Sequence, residues 1–304
     1  MPLLSIYKFV NWITGTPVPI EDGVVSAFTN PLQAEIAALF AGGGPLSPAF
    51  NCQLQFVSTS SITLFPFSGA SIFVQATAGV GNYAIPSGGL NMTNGGLSTS
   101  TFYYIYATYQ GALTLSATTT GYVIDPTYGY ATMSGDITHT LVGAVYVDSG
   151  GLFQDSNGTI YVLSYYNRRK KSSKTLFSAN RSTNSASFVE INTEIRNQFI
   201  NWSTEPVPYV FTGGVFTTSG TSSTFTTVGF NGTTPEFEGS VATSAVTIEQ
   251  NAAFAGTKRS TLLTENVLNY ITLLGANTSG PGDSSTWLGS AGAPAAQLGI
   301  VIYG

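Results

Sequence analysis

Residues 101 to 169 read TFYYIYATYQGALTLSATTTGYVIDPTYGYATMSGDITHTLVGAVYVDSGGLFQDSNGTIYVLSYYNRR, and no other stretch leaves this chain fewer choices. Short runs of tyrosine and β-branched residues alternate with Gly, Asp, Asn and Pro, the pattern of successive strands joined by tight turns. Within residues 102–109, Phe102, Tyr104 and Tyr106 fall on one face and Tyr103, Ile105 and Tyr109 on the other. A strand that is sticky on both faces is covered twice, by its own core and by another layer or subunit. Tyr104 and Tyr106 are therefore expected at an interface.

The same reading predicts strands at 61–67, 70–77, 102–109, 112–118, 138–147 and 159–166, with turns at Ser87-Gly88-Gly89, Asn94-Gly95-Gly96, Asp125-Pro126, Ser134-Gly135-Asp136 and Asp155-Ser156-Asn157-Gly158. Strands at 209–211, 223–230, 242–248, 269–274 and 298–303 continue it. Residues 187–202, SFVEINTEIRNQFINW, fit a helix through Phe188, Ile191, Ile195, Phe199 and Trp202, but their β-branched alternation is cleaner and predicts one long strand. Strand spacings of about 8–12 residues indicate sandwiches or barrels. The expected fold is all-β: two β-sandwich, jelly-roll-like domains at 49–167 and 175–304, joined by a basic linker at 168–174.

Residues 1–48 differ, forming an attachment or oligomerisation segment with one α-helix. In NPLQAEIAALFAGGGP, Asn30 caps, Pro31 fits the first turn and Gly42 ends the helix. Leu32, Ile36, Leu39 and Phe40 line one face, a stripe too narrow to stand alone. It packs either on its own domain or on a partner. A near-repeat links FVNWITGTPVPI at 9–20 to FINWSTEPVPYV at 199–210, each reading as a strand leaving an aromatic anchor at Trp12 or Trp202. Coincidence also explains it, since no full-length repeat accompanies it.

Composition limits the functions available. Charged residues are only 8% of the chain, against about 25% in ordinary soluble domains, while 43% hydrophobic and 12% aromatic content argues against disorder. No apolar run approaches about 18 residues, so no membrane-spanning helix is expected. MPLLSIYKFVNWITG lacks a basic start and is broken by Lys8 and Asn11, so no signal peptide is expected. Cys52 is the single cysteine and cannot make an internal disulfide. Net charge of −5 argues against general nucleic-acid binding. Up to residue 167 the only lysine or arginine is Lys8; then Arg168, Arg169, Lys170, Lys171 and Lys174 arrive together, as a nucleic-acid or heparin patch, a solvated linker or a subunit contact.

No catalytic, cofactor-binding or metal-ligating set is expected. The one histidine, His139, shares an alternation face with Leu141, Val145 and Val147, which makes it a core or interface residue. Asp136 is too close along the strand to be an obvious orienting acid. One His and one Cys exclude an ordinary zinc site. NGTTPEFEG and GPGDSSTW offer oxygens without calcium-loop spacing. Sequons at Asn91, Asn157, Asn180, Asn201, Asn231 and Asn277 are what chance supplies in so Ser-, Thr- and Asn-rich a chain.

STSTFYYIYA, TTTGYV, SGDITHTLVGAVYV, LFQDSNGTIYVLSYYNRR and SFVEINTEIRNQFINW, from about 99 to 200, together resemble a module of bacteriophage tail-fibre and related receptor-binding virion surface proteins. TTVGFNGTT and QLGIVIYG continue the style, and the resemblance spans roughly two-thirds of the chain. It implies a β-rich homotrimeric virion protein whose N-terminus attaches to other virion proteins and whose C-terminal domain is exposed. It transfers no catalytic residues, and this chain lacks the coiled-coil or repetitive shaft of long fibres. Host-surface polysaccharide or an outer-membrane protein is the expected partner, met through Tyr and Trp in loops. Capsid decoration, cement or head-fibre duty is the structural alternative. Polysaccharide cleavage is the enzymatic alternative, and glycosidases need two carboxyl groups about 5 to 10 Å apart. Glu236 with Glu238, or Glu190 with Glu194, are the candidate pairs, although Arg196 marks the second as a structural ion pair.

Overall fold

The computed structural model describes residues 47–304 except 77–78, 204, 219–221, 244–249, 259–262, 279–282 and 291–293, and at 237–243 it describes the backbone alone. The expected N-terminal helix, Trp12, Leu32, Ile36, Leu39, Phe40 and most of the strand expected at 242–248 lie outside the described residues.

Among the described residues the protein is almost entirely β. The first ten strands are β1 Cys52–Ser58, β2 Ser61–Pro66, β3 Ser71–Ala76, β4 Gly79–Ala84, β5 Leu90–Thr93, β6 Thr101–Tyr109, β7 Leu113–Thr118, β8 Tyr122–Ile124, β9 Ala131–Met133 and β10 Asp136–Val147. Short strands follow at β11 Asp155–Ser156, β12 Thr159–Ile160 and β13 Val162–Ser164. Next come β14 Lys170–Leu176, β15 Arg181–Thr183, β16 Val189–Glu190, β17 Asn197–Phe199 and β18 Val207–Thr217. The last six are β19 Thr224–Phe230, β20 Pro235–Thr243, β21 Gln250–Lys258, β22 Asn269–Asn277, β23 Ser285–Trp287 and β24 Gln297–Tyr303.

Two small sheets, β1-β2-β5 and β3-β4, lie with a six-stranded sheet ordered β7-β6-β10-β9-β8, to which β13 adds by pairing with β10. The C-terminal half makes two more, β11-β12-β17-β22-β19-β20 with β16 on β22, and β14-β24-β18-β23-β15 with β21 on β18. Expected turns close several hairpins. Ser134-Gly135 joins β9 to β10 with Met133 opposite Asp136, and Gly135 takes the φ of 84° that a two-residue link asks for.

Two cores result, and β6 stands between them. Tyr103, Ile105 and Ala107 pack with Leu54, Ile62, Ile72, Val145 and Val162. Phe102, Tyr104 and Tyr106 point the other way, among Trp202, Phe211, Ile271, Trp287 and Leu298 of the C-terminal sheets. Strand alternation alone divides the two sets. β10 reaches both cores through a bulge: Leu141 is opposite Tyr106 but Gly143 is opposite Ile105. The extra residue turns Val142 to the first core while Leu141 and Ala144 join the second. At Gly143 an added Cβ would sit 2.4 Å from the Leu163 carbonyl and 2.5 Å from Leu54 Cδ2, so glycine is required by close approach.

Three expectations are corrected. Residues 168–174 are not a linker: 170–176 form β14, in register with β24 from Lys170–Tyr303 to Leu176–Gln297, and residues Pro48–Gly304 make one unit. The long strand at 187–202 is broken, because the Asn192 side chain accepts from the Glu194 amide at 2.9 Å and caps a 3-10 turn at Thr193–Ile195. Short polar side chains that bond their own backbone compete with ladder pairing. The strand expected at 159–166 is likewise divided into β12 and β13.

Candidate functional site

The sequence-derived anchors Tyr104, Tyr106 and Trp202 meet in one cluster, at 3%, 0% and 1% exposure. The rings pack edge to face: Tyr104 to Tyr122 at 5.7 Å, Tyr122 to Trp202 at 6.4 Å and Tyr165 to Trp202 at 5.2 Å between centroids. The polar tips of the three anchors are all used. Trp202 Nε1 donates to the Ser164 carbonyl at 3.1 Å, Tyr106 to the Thr120 carbonyl at 2.9 Å, and Tyr104 to Glu265 at 3.1 Å and to Asn266. Burial, then the charge of Glu265, drives the Tyr104 phenol far above its ordinary value. These three residues therefore seal a joint within the chain. The second layer over β6, for which a subunit was one expectation, is the protein's own C-terminal half. Trp202 also fits the strand-and-anchor reading of the near-repeat, since it is buried just before β18 begins.

The candidate acid–base groups are tied up in ion pairs. Arg196 donates from Nε and from a terminal nitrogen to the two oxygens of Glu190, each at 2.6 Å, and Thr272 adds a third bond at 2.6 Å. Burial pushes the Glu190 carboxyl up, but these bonds and the arginine charge outweigh it and hold the group below its ordinary value. Glu194, inside the 3-10 turn, pairs instead with Arg181 at 2.7 Å. Glu236 pairs with Lys258, and the side chain of Glu238 lies outside the described residues. His139 is half-buried, edge-on to Tyr106, with Nδ1 2.9 Å from Asp136. The β9–β10 irregularity brings Asp136 within reach, against expectation, and the bulge parts His139 and Leu141 from the face of Val145 and Val147.

The basic cluster divides by strand alternation. Arg168 pairs with Glu205 at 2.6 Å and lies over Tyr165 and Trp202 at 5.2 and 5.3 Å. Arg169 covers Phe67, and Lys171 points inward to Asp155 at 2.5 Å and to the Val162 carbonyl at 2.7 Å. Burial raises the Asp155 carboxyl despite that lysine. Lys170 and Lys174 face out, and are the described lysines that carry no ion pair.

On the outer face of that sheet an open groove of about 490 Å³ crosses β14, β24 and β18. Lys174 is opposite Gly299, which is opposite Val210, and Ser172 is opposite Val301. Pro208 and the exposed Asn157 also line it, as do the inward-facing Ser173, Tyr209 and Ile300. Val210 is 46% exposed and Tyr303, opposite Lys170, is 38% exposed. With no side chain at Gly299 the sheet surface dips; a Cβ there would come 3.3 Å from Val210 Cγ1. Sequence reasoning missed this site, because in KKSSKTL the outward Lys170, Ser172 and Lys174 and the inward Lys171, Ser173 and Thr175 are of the same polar types, so no alternation marks the strand.

No protein-family model and no curated protein matches the chain. Among solved structures, one of infectious bursal disease virus, Gx strain, is similar at a TM-score of 0.33 and 11% identity, covering 88% of this chain and 76% of that one. The VP2 subviral particle of the same virus is similar at 0.32 and 14%, covering 88% and 77%. A β-porphyranase of glycoside hydrolase family 86 from the gut bacterium Bacteroides plebeius follows at 0.26 and 11%, covering 84% and 37%. At scores and identities this low, neither fold nor function is carried over.

Proposed function

We propose that this chain is a bacteriophage virion surface protein, a short tail fibre or related receptor-binding protein, that attaches the particle to its host. The groove on the outer sheet face carries the reading: apolar side chains, serine hydroxyls, an amide and Lys174 gather on a rigid surface built of paired strands, with Lys170 beside it. Concavities of this size, apolar with a few polar groups, are what ligand sites are made of. The resemblance at 99–200 supplies the virion context. On this reading residues 1–48 bind other virion proteins, the two cores are jelly-roll-like sandwiches, and three copies assemble. The recognition is non-enzymatic, in keeping with the ion-paired Glu190, Glu194 and Glu236.

Adsorption competition tests it. Purified full-length chain should bind host cells and block infection by the intact phage. Equal infection with and without a large excess would refute attachment and leave a decoration or head-fibre role. Release of reducing ends from host polysaccharide, abolished by Glu236→Gln with Glu238→Gln, would instead make the chain a depolymerase. A stable monomer in sedimentation at micromolar concentration would contradict the trimer.

A further inference from the structure

The chain is acidic overall, with a net charge of −5, yet the groove face presents uncompensated positive charge. Five basic residues enter together at 168–174; Arg168 and Lys171 are neutralised by carboxylates and Arg169 stacks on Phe67. Lys170 and Lys174 are exposed on the outer face of β14, beside the groove, with no ion-pair partner among the described residues. We propose that this groove binds a strand of anionic polysaccharide, with Lys174 and Lys170 meeting its carboxylate or sulfate groups. The proposal rests on the attachment reading and names the ligand class for it.

Three features favour that occupant. First, the spacing: Lys170 and Lys174 are four residues apart on one face, or about 13 Å at roughly 3.3 Å per residue. A nucleic-acid strand carries a charge about every 3.4 Å, far denser than two lysines can match. A glycan with one acidic group every few sugar rings fits better. Second, the floor: Gly299 leaves the sheet flat enough for a ring to lie on it, and Pro208, Val210 and Val301 give its apolar faces a contact surface. Tyr303, beside Lys170, adds an aromatic face at the rim. Third, the hydroxyl of Ser172 and the amide of Asn157 are placed to bond sugar hydroxyls. A second copy packed face to face would set these lysines against one another, a like-charge contact that costs affinity.

The test uses the full chain against immobilised hyaluronan and κ-carrageenan, each with one acidic group per disaccharide, and neutral dextran, with poly(dT) as the nucleic-acid arm. Wild type should bind at least one anionic polymer more tightly than dextran or poly(dT), and binding should weaken as NaCl rises, because exposed charges are screened. Lys170→Glu with Lys174→Glu should cut affinity by about ten-fold while leaving the thermal midpoint unchanged, since neither side chain holds the fold. Gly299→Leu should also cut affinity, without altering charge; if it fails to fold, the lysine pair still decides. Any of these binding results would overturn the proposal: no binding to either anionic polymer, equal binding to dextran, affinity unmoved by the charge reversal, or poly(dT) bound as tightly. Self-association abolished by the same reversal would assign the face to a second copy, and so would overturn it too. If cell adsorption persists undiminished in the double variant, the ligand class is wrong and attachment stands. If polymer binding holds but wild type does not adsorb to cells, attachment fails.

Discussion

Replacing Trp202 by alanine asks whether the two cores unfold as one body. Trp202 is 1% exposed, touches Tyr165 and Tyr122 from the N-terminal half, and gives its indole N–H to Ser164. Deleting a buried tryptophan costs about 3–5 kcal/mol. In a unit of this size each kcal/mol lowers the melting midpoint by about 2–4 °C, so a fall of about 6–20 °C is expected. Trp202→Phe keeps most of the ring and strands only the Ser164 carbonyl, a loss of about 1–3 kcal/mol. Two native reporters read the halves separately. Cys52 lies in the first core at 1% exposure, and burial pushes its thiol up to about 12, so alkylation follows opening of that core. Trp287 reports the second core, as the lone tryptophan, excited at about 295 nm, once Trp12→Phe is added to Trp202→Ala. Both signals should move together and by the same amount. Cys52 protection that stays put while the Trp287 transition drops would refute the shared joint, and so would an unchanged midpoint.

Other outcomes follow from local geometry. Gly143→Ala drives a methyl into the Leu163 carbonyl and Leu54 and should destabilise by about 1–3 kcal/mol or more, read by urea denaturation; a neutral result would mean that the bulge relaxes freely. Glu190 and Glu194 are held below their ordinary values, so they support the fold above about pH 4.3 and lose that support as pH falls through their folded values. Stability should therefore drop on acidification, and Glu190→Gln should flatten the profile in urea titrations at stepped pH. Asp155 runs the other way, because burial raises it: protonation through its folded value favours the native state, and Asp155→Asn should remove that relief.

The β class, most strand positions and the two-sided nature of β6 were legible because period-2 alternation and turn residues are local signals. What β6 packs against was not. Tyr104 bonds Glu265, 161 residues away, a pairing no local window contains. The break at 192–195 was hidden because Asn192 and Thr193 keep the alternation while their side chains favour a turn. β14 was missed because it has too few apolar residues to announce a strand; it is held by its ladder with β24 and by Ser173, whose hydroxyl donates to Asn197 at 2.7 Å. The groove was illegible for the same reason, since Lys174, Gly299 and Val210 are neighbours only through register.

That register also explains how a chain with so little charge distributes it. In β14 the inward positions, Lys171, Ser173 and Thr175, bond Asp155, Asn197 and Ile195, while the outward ones, Lys170, Ser172 and Lys174, are left for whatever meets the sheet. Adjacent lysines thus answer to different demands. A change at Lys171 leaves a half-buried carboxylate without its partner and acts on folding. A change at Lys170 removes only a solvated charge and acts on binding. The tyrosines divide by the same logic: Tyr104 and Tyr106 are committed to the joint between the cores, and Tyr303 lies on the outer face. An aromatic-rich sequence of this kind spends most of its rings on holding layers together. Recognition then falls to whichever residues the alternation turns outward.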